Sequence, residues 1–168
     1  MNPKTFPLLI IALLVIGTSE SWAQKPKQVK RYDNPKAQIL HGVAIPADKA
    51  LFFTSGIVAP ILDSTAEEGS VKRYGDTYTQ SINTLKRIEN ILKDAGLTMQ
   101  DVVFLRIYLA PDATKNNQID FEAWFRAYPQ FFMNEENPHK VARTTVGVAA
   151  LARTGLLVEI EAVAVYPK

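Results

Sequence analysis

The C-terminal stretch "LLVEIEAVAVY" (156–166) limits the folds open to this chain more than any other segment. Strand side chains alternate between faces. Leu156, Val158, Ile160, Ala162 and Ala164 therefore share one face, and Leu157, Glu159, Glu161, Val163 and Val165 the other. A strand that is wholly apolar on one side and doubly acidic on the other belongs to a sheet covered by helices on a single face. The acidic face must then meet water, a partner or a ligand. The preceding segment "VARTTVGVAA" (141–150) reads as a second strand, with Arg143, Thr145 and Gly147 on one side and Ala152-Arg153-Thr154-Gly155 as the turn between the two. Pairing around that turn would bring a guanidinium near a carboxylate.

The period changes upstream. From Val71 to Ala95, Tyr78, Ile82, Leu85, Ile88 and Leu92 recur at intervals of three and four, which predicts one amphipathic helix closed by Gly96. "DVVFLRIYLA" (101–110) predicts a strand ended by Pro111. A second helix is expected from Asn116 or Asn117, with Phe121, Trp124, Phe125, Tyr128, Phe131 and Phe132 as its core-facing aromatic side and Pro129 shortening it. "AQILHGVAI" (37–45) and "ALFFTSGIV" (50–58) predict a hairpin through Pro46-Ala47-Asp48-Lys49. The element order is β-β-α-β-α-β-β, an α+β chain with two helices on one face of a mixed sheet.

The first 23 residues carry Lys4, an apolar run from about Phe6 to Ile16, a polar segment and Ser21-Trp22-Ala23 before the expected cut. That is the pattern of a secretory signal, and the run is shorter than the roughly 18 apolar residues of a membrane span. Export to the periplasm or medium is expected, with no membrane attachment after cleavage. Residues 24–36, polar and basic with two prolines, are expected to form a flexible linker. The domain should run from 37 to 168.

Composition removes several chemistries. Absence of cysteine excludes disulfides, thiolate metal sites and a thiol nucleophile. His41 and His139 are distant in sequence, so a metal centre is not expected. A formal charge of +2, unaltered by loss of the leader because Lys4 and Glu20 cancel, gives no basis for nucleic-acid binding. No phosphate-cradling glycine loop or nucleophile elbow is present. The remaining candidates are Arg143, whose planar fork matches a carboxylate; Glu159 and Glu161; and Ser55-Gly56, able to offer a hydroxyl and a bare N–H. Ordinary surface decoration with a cross-strand Arg–Glu pair is the competing reading.

"TSGIVAP", "INTLKRIENILKDAGLTMQDVVFLRIYL" and "ARTTV…LVEIEAVAV" together closely resemble the reactive-intermediate deaminase (Rid/YjgF) family, from about Ala37 to the C-terminus. The resemblance implies a chorismate-mutase-like α+β fold and a homotrimer with clefts between subunits. It also implies hydrolysis of enamines and imines of small 2-oxo acids without metal or organic cofactor. Carried over residue by residue, Arg143 matches the arginine that grips the substrate carboxylate, Glu159 the glutamate that activates water, and Ser55 and Gly56 the pocket border. Thr145 stands where the family often has cysteine, and Phe125 where it has asparagine. The family's pocket tyrosine has no clear counterpart; His41 and Tyr32 are nearest by position. These departures leave two alternatives: a trimeric protein that binds small carboxylates in the same cleft without turnover, and RNA cleavage, which is attached to some members and disfavoured here by charge. N-terminal sequencing of the chain recovered from the cell envelope is expected to start at Gln24; a chain from the cytosol still starting at Met1 would refute export.

Overall fold

The computed structural model describes residues 25–167, so the expected signal segment lies outside the described residues. The centre of the molecule is strand β5 (Val102–Leu109), an apolar run hydrogen-bonded along both edges. It pairs antiparallel with β7 (Val158–Val165) and parallel with β6 (Ala142–Gly147). Two short strands, β3 (Leu51–Phe53) and β4 (Ile57–Val58), add antiparallel to the far edge of β7. The path β3-β7-β5-β6 is a mixed sheet with helices α2 (Thr77–Asp94) and α3 (Phe121–Ala127) packed on one face. Leu85, Ile88 and Leu92 of α2 meet Leu105, Ile107 and Leu109 of β5 and Val158, Ile160 and Ala162 of β7. The expected alternation along β7 is observed: its helix-facing residues are buried, and Glu159, Glu161 and Val163 are half-buried.

Several elements depart from the sequence reading. Segments 37–45 and 50–58 do not pair with each other. Instead β2 (Gly42–Ala44) joins β1 (Lys30–Tyr32) in a separate two-stranded ribbon. β1 lies inside the segment expected to be flexible. It is held by Arg31, whose guanidinium donates to the carbonyls of Gln100, Val102 and Lys140 at 3.0–3.4 Å. Such charge-assisted bonds to carbonyls fix a chain that composition alone marks as free.

The 71–95 helix is interrupted. Gly75 takes φ 87°, and Asp76 then caps α2 by accepting from the Thr79 N–H, so α1 (Val71–Tyr74) is a single separate turn. In its first half α2 buries Thr77, Gln80, Ser81 and Thr84, whereas Tyr78 and Ile82 stay half-exposed. Gln80 explains this rotation. Its amide donates to the carbonyls of Gly75 and Gly155 at 2.9 and 2.8 Å and accepts from the Leu157 N–H at 2.8 Å. One buried amide thus satisfies the backbone of a helix break, a turn and the entrance to β7.

The second helix starts at Phe121, not near Asn116. Asn116 and Asn117 adopt left-handed φ of 54° and 56°, and Asp120 supplies the cap. It ends at Ala127, where Pro129 directs the chain into a 3-10 turn at Tyr128–Gln130. Replacing Gln80 by Leu leaves two carbonyls and an N–H without partners in a dry site. Urea denaturation should show a loss of about 3 kcal/mol, within the usual 1–3 kcal/mol per orphaned group.

Candidate functional site

Placing β5 between β6 and β7 decides where the candidate side chains go. Arg143 is in register with Leu105, and Leu105 with Ala162, so Arg143 lies on the helix-covered face. Glu159 is in register with Tyr108 and Val58 on the helix-free face. The two do not approach across the 152–155 turn as pairing of their strands would require, because residues 148–157 carry the chain past β5 instead of folding β7 back onto β6. Within one chain they form two separate half-sites.

The arginine half-site is built by α3. Aromatic residues at i, i+4 spacing line up along a helix. Trp124, Tyr128 and Phe132 form one fully buried row, with Tyr128 stacked on Phe132 at 4.9 Å. Phe121 and Phe125 form a second row, stacked at 6.4 Å and 36% and 39% exposed. The aromatic face is therefore split between core and surface. The Arg143 guanidinium sits against both rows, its Cζ 4.2 Å from the Tyr128 ring centroid, 5.4 Å from Phe125 and 5.7 Å from Trp124. Attraction to the ring faces offsets part of the cost of desolvating the cation. Burial still pulls the guanidinium below its ordinary pKa and pushes the Tyr128 phenol above its own.

No carboxylate among the described residues forms an ion pair with Arg143. Its Nη1 is buried without a hydrogen-bond partner, as are Thr145 Oγ1 and Trp124 Nε1. Thr145 is the next residue on the same face of β6. Native proteins rarely leave such donors unmatched.

The glutamate half-site lies where β3 gives way to β4. Thr54 keeps the ladder closed: its N–H donates to the Ala162 carbonyl and its Oγ1 accepts from the Ala162 N–H, both at 2.9 Å. Ser55 and Gly56 then lie exposed before Ile57 rejoins β7 opposite Ile160. The Glu159 carboxyl packs directly on Gly56, in the space any side chain at that position would fill. Next to it Glu161 is paired to Arg106 at 2.6 Å, an ion pair absent from the sequence reading although Arg106 is the one charge within β5. Around these charges the helix-free face is apolar: Phe53, 65% exposed, and Phe104 flank Val163, and Val146 lies beside Tyr108. His41 and Tyr32 belong to the β1–β2 ribbon, outside the main sheet. Among the described residues no three His, Asp or Glu side chains cluster as metal ligands.

A mixed sheet with two helices on one face, holding an unpaired arginine under aromatic rings and a carboxylate on a Ser-Gly step, is an α+β protein of the chorismate-mutase-like type. Residues 35–166 match the family described as Endoribonuclease L-PSP, and the chain belongs to it, the Rid/YjgF family. The 3-aminoacrylate deaminase RutC of Acinetobacter baylyi is 35% identical over 122 residues, covering 71% of this chain and 84% of that protein. A RutC family protein of Pyrococcus horikoshii is 34% identical over 130 residues, 77% and 90% of the two chains. Among solved structures, Escherichia coli TdcF with bound serine matches at TM-score 0.54 and 25% identity over 84% of this chain and 99% of that one. The Rid protein YyfB of Yersinia pestis matches at TM-score 0.59 and 25% identity over 83% and 99%. Membership supports a deaminase or small-molecule-binding role.

Gly56→Ala is expected to push the Glu159 carboxyl off its seat while changing stability by no more than about 0.5 kcal/mol, as for most exposed positions. A crystal structure of the variant with Glu159 unmoved would refute that packing role.

Proposed function

We propose that this protein hydrolyses 2-imino acids and their enamine tautomers to 2-oxo acids and ammonia in a cleft between two copies of the chain. The observation that carries the reading is the buried, unpartnered Nη1 of Arg143, with the equally unpartnered Thr145 Oγ1 on the same face of β6. A substrate carboxylate would supply the missing acceptor in a charge-assisted pair. That a relative is a 3-aminoacrylate deaminase, and that TdcF holds serine, agrees with a carboxylate-bearing ligand.

Glu159 acts on water. It takes a proton as the water oxygen bonds to the imine carbon, and the C–N π pair moves to nitrogen. Glu159 returns that proton to the nitrogen, giving a tetrahedral aminol. The aminol hydroxyl then loses its proton through the same carboxylate, the carbonyl forms, and the C–N bond breaks to release ammonia. A carboxylate alternating between base and acid suits a reaction that shifts two protons and leaves no net charge behind.

Because Arg143 and Glu159 occupy opposite faces of one sheet, the active cleft takes the arginine half-site from one chain and the glutamate half-site from another. A cyclic homotrimer joins them through the exposed Phe53 and Val146 and the half-buried Phe104 of the helix-free face. The leader adds export, so the substrate is met outside the cytosol. The same cleft binding small carboxylates without turnover is the second reading, favoured by Phe125, which places a ring and no hydrogen-bonding amide next to the guanidinium.

Ammonia release should fall at least about 100-fold in Arg143→Ala and in Glu159→Gln. Mixing the two inactive variants after unfolding together should restore roughly a quarter of wild-type activity, because random assortment rebuilds that share of intact clefts. No recovery would refute the shared cleft. Wild-type turnover equal to that of Arg143→Ala on every substrate would refute the mechanism, and stabilisation by small carboxylates without ammonia would select the binding role.

A further inference from the structure

The strip of β6 that carries Arg143 continues through Thr145 to Gly147, and at the Gly147 end the nearest side chains are Ile119 and Phe121. Phe125 is next to the guanidinium, and Phe121 stacks on Phe125 at an interplanar angle of 28°. At the far end Gly147 has no side chain, and the vacated space is taken by Ile119 Cδ1, with Phe121 Cζ 3.8 Å from where a Cβ would be. The strip runs over five residues, about 13 Å of strand from the first to the last. Polar demand is confined to its first half, at Arg143 Nη1 and Thr145 Oγ1. The second half is bordered by two phenyl rings and an isoleucine. Exposed aromatics scattered singly over a surface carry no meaning. Here two are stacked, aligned with an orphaned guanidinium, and separated from the buried row of the same helix.

From this juxtaposition we infer the substrate class: a 2-imino acid, or its 2-oxo acid product, with an aryl or branched alkyl side chain that lies against the exposed Phe121 and Phe125 rings while its carboxylate meets Arg143. The inference rests on the carboxylate-binding reading of Arg143 and adds to it the identity of the group at the other end. A methyl side chain would leave both rings wet. A benzyl or isobutyl group covers them, and apolar pockets discriminate by roughly tenfold or more for each methylene they bury.

The test is isothermal titration of the whole protein with 3-phenyl-2-oxopropanoate, 4-methyl-2-oxopentanoate and pyruvate. It is run beside ammonia release from the imines that an amino-acid oxidase generates from phenylalanine, leucine and alanine. The two larger acids should bind at least about tenfold more tightly than pyruvate, and kcat/KM should follow the same order if turnover occurs. Phe125→Ala should reduce the ratio of 3-phenyl-2-oxopropanoate to pyruvate affinity at least about fivefold, and Phe125→Leu should restore most of it for the isobutyl acid. Phe121→Ala is a second variant on an exposed ring, and each variant is first checked for a wild-type melting transition. Equal or reversed affinities across the three acids overturn the inference and leave the carboxylate reading of Arg143 standing. Binding by none of them overturns both. A wild-type preference that survives intact in Phe125→Ala and Phe121→Ala overturns the assignment to these rings.

Discussion

Strand β5 exchanges backbone hydrogen bonds on both edges, parallel with β6 and antiparallel with β7. With both edges occupied, consecutive strands at the end of the chain cannot become neighbours, and the connection between them must travel past β5. Register across three strands then fixes each side chain to a face, since a shift of one residue would invert all of them. The fully apolar side of β7 admits only one choice, because its Val158, Ile160, Ala162 and Ala164 must lie under the helices. Arg143 falls on the covered face and Glu159 on the bare one as consequences of that constraint.

A guanidinium on the covered face is costly unless its surroundings compensate. The compensation comes from α3, where aromatic residues at positions 124, 125 and 128 surround the cation with ring faces instead of water. Rings attract charge but accept few hydrogen bonds, so they hold the cation in place without satisfying its donors. This leaves a fixed, partly desolvated cation with directional bonds still to make. Such a group is preorganised for an anion, because no internal partner has to be displaced when one arrives.

The departures from the sequence reading share a cause. Arg31 and Gln80 act through backbone carbonyls and N–H groups distant in the chain, and residue type gives no sign of which carbonyl a side chain will reach. The break at Gly75 was masked because the apolar stripe runs through it: Tyr74 is buried before the break and Leu85 after it. Of the aromatic residues near α3, spacing identified the set but not its division. Rows 121/125 and 124/128/132 differ in rotation about the axis, and only the position of the sheet decides which row is covered.

Local patterning and covalent chemistry determined the rest. Alternation along residues 156–166 required a helix-covered sheet, the three- and four-residue recurrence between 71 and 95 required a helix, the lack of cysteine removed thiol chemistry, and the Arg, Glu and Ser-Gly signals marked the residues of interest. These follow from periodicities of 2.0 and 3.6 that each segment carries by itself. Tertiary structure alone decided that β5 separates the last two strands, that Arg143 and Glu159 lie on opposite faces, and that Phe121 and Phe125 stay exposed, with Phe125 beside the guanidinium. Strand order is a competition among edges for hydrogen-bond partners and among faces for burial, and its outcome depends on every segment at once.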